Sequence, residues 1–193
     1  MKKIVLASGS PRRKLILQQI GLKFEVLVSN QKEKVDPRLT PAELAEKLSL
    51  QKAKAVAPKY KNAIIIAADT IVVFKGKILG KPKTEENAKK MLKTLSGEAH
   101  FVITGFTIID SDSKKSITKS VKTKVYIKKL SSEEIESYVA TKEPLDKAGA
   151  YGINELGGVI VEKIEGDFYN VVGLPLFTVV EQLKKFGVEV VIQ

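Results

Sequence analysis

The chain has 193 residues, of which 44% are hydrophobic and 28% are charged, a balance typical of a folded domain rather than of a disordered chain. It contains no run of the roughly 18 to 20 apolar residues that a membrane helix needs, and a polar serine comes too early for a signal peptide. We therefore expect one cytoplasmic domain over residues 1–193. Zero cysteines exclude disulfides and thiolate metal sites, and a single histidine argues against a histidine-rich zinc site. A metal here would be bound by carboxylates, which favours magnesium or manganese.

The formal net charge is +11 and the isoelectric point is about 9.6, so the surface attracts polyanions such as nucleic acids and nucleotides. The lysines are spread along the chain, and the aromatic residues, 6% of the total, do not alternate with them as in a base-stacking surface. We interpret the excess charge mainly as solvated surface and expect no stable binding of nucleic acid. A nucleic-acid role remains the alternative.

The N-terminal stretch combines a predicted strand, Ile4–Leu6, with a predicted helix, Lys14–Gly21, that ends at glycine. Ser10 is a favourable N-cap for that helix. Exposed N–H groups at such a helix start, next to Arg12 and Arg13, would bind an anion such as phosphate. An ordinary capped helix with two solvated arginines is the alternative.

A second helix is predicted from a capping box at Thr40–Glu43 to about Ala57. Lys52 lies in line with the apolar stripe of that helix. A lysine at this position either snorkels from the edge of the stripe or extends into a polar cleft to bind a phosphate. Both interpretations stay open at this point.

The most apolar run, Ala63–Phe74, predicts a central strand, and Asp69 interrupts it. An ionised carboxylate there costs several kcal/mol unless a cation, a metal or strong hydrogen bonds compensate it. A structural aspartate is possible, but strand ends in α/β sheets are where sites form, which favours a catalytic or metal-binding role. Glu33, in the polar loop 29–38, is a second carboxylate, and Lys81 adds a basic group in a constrained loop.

The remaining elements are predicted by the same periodicities. Strands are expected at Phe24–Val28, His100–Asp110, Ser116–Lys129, Val159–Ile164 and Val188–Ile192, and helices after Thr84, after Ser131 and from about Pro175 to Phe186. The glycine-rich segment 144–158 is too irregular for a plain connector, and Asp146, Lys147 and Asn154 are candidates there for ligand contacts. His100 is predicted to be a hydrogen-bonded structural residue, because the chain has no second histidine.

Together these residues suit phosphate chemistry. A magnesium ion on the two carboxylates would neutralise charge and position a water molecule, while cations hold a polyphosphate. The chain has no P-loop motif, and no histidine base accompanies the serines near Gly9, which argues against a serine hydrolase. The carboxylates are Glu33 and Asp69, and the cations are Arg12, Arg13, Lys52 and Lys81.

Several segments of the chain, in this order, strongly resemble the Maf family, once named for septum formation. The segments are Ser8–Arg13, Ala67–Val72, Gly80–Pro82, Leu95–Gly97 with His100 and Thr104–Gly105, Lys147–Tyr151 and Asn170–Leu176. The resemblance implies a nucleoside triphosphate pyrophosphatase that uses a divalent metal. It also implies an α/β fold like that of the inosine triphosphatases, with a mixed elongated sheet, flanking helices and two lobes around a cleft. A homodimer is a further implication.

By this resemblance, Asp69 matches the catalytic aspartate of the family, proposed as general base, and shares the metal with Glu33. Ser8, Arg12, Arg13, Lys52 and Lys81 match polar residues of the cleft that bind substrate phosphates, and Arg12 also helps to select the nucleotide.

Base selectivity is expected at two further positions. Thr70 looks like the branch of the family that acts on dTTP and UTP, and Asn154 stands where that branch usually has glutamine. We expect hydrolysis between the α and β phosphates of dTTP, UTP or related non-standard pyrimidine nucleotides, which limits their entry into nucleic acid. The alternatives are a pyrophosphatase for modified purine triphosphates and a basic nucleic-acid-binding or cell-division regulator.

Overall fold

A computed structural model describes residues 2–29, 36 and 38–190. Its strands are β1 (Lys3–Leu6), β2 (Glu25–Val26), β3 (Ala63–Phe74), β4 (Lys77–Leu79), β5 (Ala99–Asp110), β6 (Ser116–Ile127) and β7 (Val161–Glu165). Its helices are α1 (Pro11–Gln19), α2 (Pro41–Val56), α3 (Glu85–Leu95), α4 (Ser132–Ala140), α5 (Phe168–Val172) and α6 (Leu176–Lys184). Short 3-10 turns lie at Ala57–Lys59, Glu143–Asp146, Ala148–Ala150 and Leu156–Ile160. Within these described ranges, no helix combines the length and the apolar character needed to cross a membrane.

The strands form one mixed sheet in the order β2-β1-β3-β5-β6-β7, with β4 paired to β3 beside this path. The strand β1 is parallel to both β2 and β3, whereas β4 is antiparallel to β3 and β7 is antiparallel to β6. The helix α1 connects the parallel strands β1 and β2, as the strand–turn–helix pattern at the N-terminus predicts. A mixed α/β sheet with helices, the expected fold class, is therefore confirmed.

Local capping signals explain where α2 begins. The Thr40 hydroxyl accepts from the Glu43 N–H, and the Glu43 carboxylate accepts from the Thr40 N–H at 2.9 Å, which completes the predicted capping box. At α1, Ser10 occupies the N-cap position, but its side chain accepts no capping hydrogen bond from the described first turn. The predicted position of Ser10 is confirmed, without a capping hydrogen bond from its hydroxyl.

The C-terminal strand predicted at Val188–Ile192 is wrong for residues 188–190, which the structure describes without strand pairing. The Val188 N–H instead donates to the Leu183 carbonyl at 3.2 Å, and Gly187 adopts a φ of 72°. This pattern closes α6 and uses the backbone donor that a strand would need. Residues 191–193 lie outside the described part of the chain.

The helix α5 was not predicted, because the residues around Asn170 resemble the end of a strand in sequence. The Asp167 carboxylate accepts from the Asn170 N–H at 3.1 Å, which is the geometry of an N-cap. The Asn170 side chain donates to the Val102 carbonyl at 3.0 Å and to the Thr123 hydroxyl at 2.9 Å. A local cap and a buried amide thus stabilise this short helix.

The chain divides into two compact units, which agrees with the expectation of two lobes. Unit 1 comprises residues 1–69, 104–121 and 173–193, and unit 2 comprises residues 70–103 and 122–172. In unit 1, α2 packs apolar side chains on the strands β1 and β3, including Ala53, Val5 and Ile65. In unit 2, α3 and α4 contribute Leu92 and Val139 to a separate core.

Gly105 allows α2 to lie directly against β5 in unit 1. A Cβ atom at this position would be 2.3 Å from the Ala45 carbonyl carbon, so only glycine fits. The Ser49 and Thr107 hydroxyls, 2.8 Å apart, join the same two elements one turn further along α2. This contact fixes the position of the helix that carries Lys52.

Candidate active site

Parallel pairing of β1 and β3 brings two distant segments to one edge of the sheet. Leu6 lies opposite Ile66, and the Ala7 N–H donates to the Ile66 carbonyl at 2.7 Å. Ser8 therefore follows β1 at the level of Ala68, immediately before Asp69. The carboxyl ends of parallel strands are where α/β proteins place ligand sites.

Lys52 and Asp69 form an ion pair at this edge. Their side chains are 21% and 13% exposed, so both charges are largely shielded from water. The ammonium compensates the carboxylate that interrupts β3, and the carboxylate explains the lysine in the apolar stripe of α2. Loss of Lys52 would remove the cation that compensates the shielded Asp69 carboxylate.

Ser8 is held by a buried arginine. Arg13 is 8% exposed, and its Nη1 donates to the Ser8 Oγ at 2.9 Å while its Nε donates to the Gly173 carbonyl at 2.8 Å. The Ser8 Oγ also accepts from the Ser10 N–H at 3.3 Å. A hydroxyl has two acceptor lone pairs and one proton to donate. Since both lone pairs are used, Ser8 offers a hydrogen-bond donor to an acceptor such as a phosphate oxygen.

The other predicted site residues have the following positions. Arg12 is half-buried in the first turn of α1, and Thr70 is half-buried in β3 directly after Asp69. Lys81 and Asn154 are exposed residues of unit 2. Glu33 lies outside the described residues. Ser8, Arg13, Lys52 and Asp69 are thus the predicted residues that the described part of unit 1 brings together through contacts and register.

Backbone hydrogen bonds hold the loop that carries Lys81. The Gly80 carbonyl accepts from the Gly149 N–H at 3.3 Å, and the Lys83 N–H donates to the Leu145 carbonyl at 3.2 Å. Lys81 lines an open groove of about 310 Å³ within unit 2. The constrained loop predicted from the sequence is confirmed, and it presents an exposed ammonium.

Lys147, a candidate for ligand contact, is used inside the protein. Its side chain is 7% exposed, and Nζ donates to the Glu143 carbonyl at 3.1 Å and to the Asp146 carboxylate at 3.0 Å. A third contact, with the Glu155 carboxylate, is 3.0 Å long. An ammonium group has three N–H donors, so these contacts replace the ligand role with a structural one.

His100 is structural, as predicted. Its Nε2 lies 2.8 Å from the Tyr151 hydroxyl in unit 2, and its ring is buried. Burial lowers the pKa of His100 from 6.5 to about 4, because an imidazolium would lose its hydration. The imidazole is therefore neutral at physiological pH.

The described residues supply few metal ligands. Across the described ranges, no group of three or more histidine, cysteine, aspartate or glutamate side chains could bind a metal ion. Asp69 offers hard oxygen ligands at the strand edge, and magnesium commonly binds through one or two carboxylates together with substrate phosphates. The chemistry of Asp69 fits a metal that arrives with a polyphosphate, and the metal role of Glu33 stays a prediction.

Fold and site together define an α/β protein with an ion pair on the central strand β3 and a hydroxyl donor just beyond the carboxyl end of the parallel strand β1. Comparison with known proteins supplies the family. The chain belongs to the Maf family, whose model, described as Maf-like protein, matches residues 3–186. The resemblance seen in the sequence is therefore confirmed.

Curated relatives match this chain over nearly their whole length. A dTTP/UTP pyrophosphatase of Methanosarcina barkeri is 51% identical over 191 residues, 98% of this chain and 97% of that protein. A dTTP/UTP pyrophosphatase of Bacillus cereus (strain AH820) is 48% identical over 190 residues, 98% of each chain. Among solved structures, the Staphylococcus aureus Ham1 protein matches 65% of this chain and 72% of its own at 18% identity and a TM-score of 0.43, a likeness too low to define the fold.

Proposed function

We propose that this protein hydrolyses nucleoside triphosphates to the monophosphate and pyrophosphate, with dTTP and UTP as its preferred substrates. The Lys52–Asp69 pair, which the register of β1 and β3 relates to the Ser8 donor, is the structural observation that carries the proposal. The relatives named dTTP/UTP pyrophosphatase, which are 51% and 48% identical to this chain, support the same reaction.

The residues of unit 1 suit attack of water on the α phosphorus. Asp69 accepts a proton from the water as its oxygen bonds to phosphorus, and the bond from phosphorus to the α–β bridging oxygen breaks to release pyrophosphate. The Ser8 hydroxyl donates to a phosphate oxygen, and the Lys52 ammonium stabilises the negative charge that develops. Arg12 and Arg13 add positive charge for the polyphosphate, and Lys81, on its loop in unit 2, has the same predicted role.

A divalent cation, magnesium or manganese, is part of the proposal. Asp69 and Glu33 would hold it together with the triphosphate, and it would neutralise phosphate charge and make a bound water more acidic. The residues of the chain keep their own tasks, since Ser8 orients a phosphate oxygen and Asp69 takes the proton.

Selectivity for the base is assigned to Arg12, Thr70 and Asn154. The exposed amide of Asn154 offers both a donor and an acceptor, which suits the carbonyl and N–H groups of uracil and thymine. Asparagine is one methylene shorter than the glutamine usual in this branch, so a preference for modified purine triphosphates is the alternative outcome.

The proposal also covers the setting of the enzyme. We propose a cytoplasmic homodimer that does not bind nucleic acid stably. Its activity would limit misincorporation of the nucleotides into nucleic acid.

A nucleotide panel tests the reaction. Purified protein with magnesium or manganese is expected to release pyrophosphate and monophosphate in equal amounts from dTTP and UTP, with lower kcat/KM for the other standard and modified nucleotides. A chelator abolishes turnover, and added magnesium restores it. If no nucleotide yields pyrophosphate with any metal, the proposed function is wrong.

The Asp69→Asn variant tests the general base. Removal of a proton acceptor is expected to lower kcat by about 10²- to 10⁴-fold while the triphosphate still binds. The control is Asp112→Asn, whose carboxylate pairs with Lys2 at the surface, and we expect it to keep the wild-type kcat. Equal activity of the two variants would refute the role of Asp69. Salt-sensitive binding to DNA or RNA that survives Asp69→Asn, without turnover, would favour a nucleic-acid-binding protein instead.

A further inference from the structure

The exposed Asn154 lies in a backbone turn, residues 152–157, that unit 2 holds by its polar groups. We call it the 152–157 segment. Within it, the Glu155 N–H donates to the Gly152 carbonyl at 3.2 Å, which closes the turn around residues 153 and 154. The position of the Asn154 amide therefore depends on what holds the two ends of this segment.

Glu143 holds one end. Its Oε1 accepts from the Tyr138 hydroxyl at 2.8 Å and from the Gly157 N–H at 3.0 Å, and its Oε2 accepts from the Leu156 N–H at 3.0 Å. A carboxylate acceptor forms stronger hydrogen bonds than a neutral group does. One half-buried side chain thus aligns two consecutive backbone amides of the segment.

Tyr138 extends this contact to the other end. Its hydroxyl donates to Glu143 and accepts from the Gly152 N–H at 3.3 Å, so it joins both ends of the segment. Burial, together with the bond to Glu143, raises the pKa of the Tyr138 hydroxyl, which keeps it protonated as a donor. A Cβ at Gly157 would be 2.4 Å from the same hydroxyl oxygen, so there is no space for a side chain between the segment and Tyr138.

Lys147 adds a third support. Its buried ammonium binds the Glu155 carboxylate at 3.0 Å and the main-chain carbonyl of Glu143 at 3.1 Å. Lys147 therefore ties Glu155, the residue directly after Asn154, to the backbone of Glu143. Asn154 itself is exposed at the outside of this arrangement.

We propose that Glu143 is a positioning residue for base selectivity, which acts through Tyr138 and the 152–157 segment to hold the Asn154 amide in place. The inference rests on the proposed function, in which Asn154 contacts the base. A selective site must keep its hydrogen-bonding groups in a defined geometry, because a displaced amide pairs less well with the correct base and no longer excludes the wrong one.

The Glu143→Gln variant tests this role with little change in shape. Its side chain has one acceptor oxygen and one NH₂ group. In one orientation the NH₂ meets the Leu156 N–H, and in the other it meets the Gly157 N–H, so one backbone amide always faces a donor. We expect the ratio of kcat/KM for dTTP over dCTP to fall about two- to tenfold, mainly through KM for dTTP.

The Tyr138→Phe variant is the second test, since it keeps the ring and removes only the hydroxyl that joins Glu143 to Gly152. It is expected to lower the same ratio. Glu165→Gln is the matched control, because Glu165 forms an exposed ion pair with Lys163 in unit 2, and its ratio should equal that of the wild type. Amide hydrogen exchange at Gly152, Leu156 and Gly157 should become faster in the two test variants and not in the control.

A double-mutant cycle identifies the route of the effect. If Glu143 acts through Asn154, the selectivity losses of Glu143→Gln and Asn154→Ala are not additive, and the double variant resembles Asn154→Ala alone. Additive losses, or a wild-type dTTP/dCTP ratio in folded Glu143→Gln and Tyr138→Phe, overturn the inference. A wild-type protein that hydrolyses no nucleotide refutes the proposed function instead, so the two failures are distinct.

Discussion

Two neighbouring groups leave the Ser8 hydroxyl able to act only as a hydrogen-bond donor. A serine in a turn can donate or accept, but the Arg13 guanidinium and the Ser10 N–H both donate to its oxygen. The proton of Ser8 is then directed to another acceptor, and the triphosphate of the proposed reaction provides one. Arg13 is tied to Ser8 and to Gly173, so it orients the donor in addition to the phosphate role predicted for it.

The Ser8→Ala variant tests the donor role of this hydroxyl. Loss of a hydrogen bond to a charged phosphate oxygen is expected to raise KM for dTTP about tenfold or more, since such bonds contribute roughly 1.5–3 kcal/mol. Ser10→Ala is the matched control, because the Ser10 side chain makes no capping hydrogen bond in the described first turn of α1, and its KM should not change. Steady-state kinetics on both variants checks this, and equal KM values would contradict the donor role of Ser8.

Among the elements, α2 links stability to the site. The helix carries Lys52, and its backbone at Ala45 lies against Gly105 of β5 with no space for a side chain. Its apolar face also packs on β1, which Ser8 follows, and on β3, which contains Asp69. A displacement of this helix therefore affects the core of unit 1 and the Lys52–Asp69 pair together.

Gly105→Ala tests that link. A methyl group 2.3 Å from the Ala45 carbonyl carbon must displace α2, so we expect a loss of about 3 kcal/mol in the free energy of unfolding and a lower kcat of the folded enzyme. Gly21→Ala is the control, because a Cβ there meets nothing within 4 Å and only the positive φ of 69° costs energy, about 1 kcal/mol. Urea unfolding and kcat of both variants check this. Equal stability of the two variants would show that α2 tolerates the displacement.

The surroundings of the segment 144–158 show what could not be predicted from the sequence among the elements. Its density of glycine and polar residues predicts more than a connector and makes Asn154 a candidate for ligand contact, and the family resemblance adds the role in base selectivity. Glu143 and Tyr138 carried no sequence signal for their role, since a glutamate before a proline and a tyrosine on an amphipathic helix are common on any surface. Their hydrogen-bond partners include backbone N–H groups. Every residue except proline has such a group, so the sequence does not show which of them is bound.

For the whole molecule, the charge excess is mostly a property of the surface. Lys14, Lys23 and Lys61 are examples of exposed lysines, and others pair with surface carboxylates, as Lys142 does with Glu85. Exposed pairs of this kind contribute little to stability and are screened by salt. The arrangement agrees with the interpretation of the lysines as solvated surface, and the absence of stable nucleic-acid binding stays a prediction.

Global stability is expected to depend on pH through His100. The folded pKa of about 4 lies below the unfolded value of 6.5, so the unfolded chain binds more protons between these values. The contribution is complete above pH 6.5 and is lost as pH falls towards 4, by up to about 3 kcal/mol. Urea unfolding at pH 7, 5.5 and 4.5 measures it. His100→Gln should show a shallower dependence than the wild type over this range, and an equal slope would assign the effect to other groups.

Features that depend on neighbours along the chain were predictable from residue patterns. The capping box at Thr40–Glu43, the central strand Ala63–Phe74 and the N-terminal strand–turn–helix were predictable, because caps and hydrophobic periodicity act over a few residues. The motifs that carry the family resemblance are likewise short runs of neighbouring residues, and their order along the chain is visible in the sequence. The predicted C-terminal strand was wrong for residues 188–190. The β-branched residues of this segment favour a strand, but the Val188 N–H already donates to the Leu183 carbonyl at the end of α6, which the sequence does not show.

The pairing of distant polar groups, in contrast, depends on the fold. Lys52 and Asp69 are 17 residues apart, and Arg13 and Gly173 are 160 apart, so their pairing depends on strand register and on the seating of α2. The sequence marked Lys52 and Asp69 as two charges in apolar surroundings and left the compensation of each open. In the fold the two side chains form an ion pair. A shielded charge is stable where the packing of distant elements brings an opposite charge next to it.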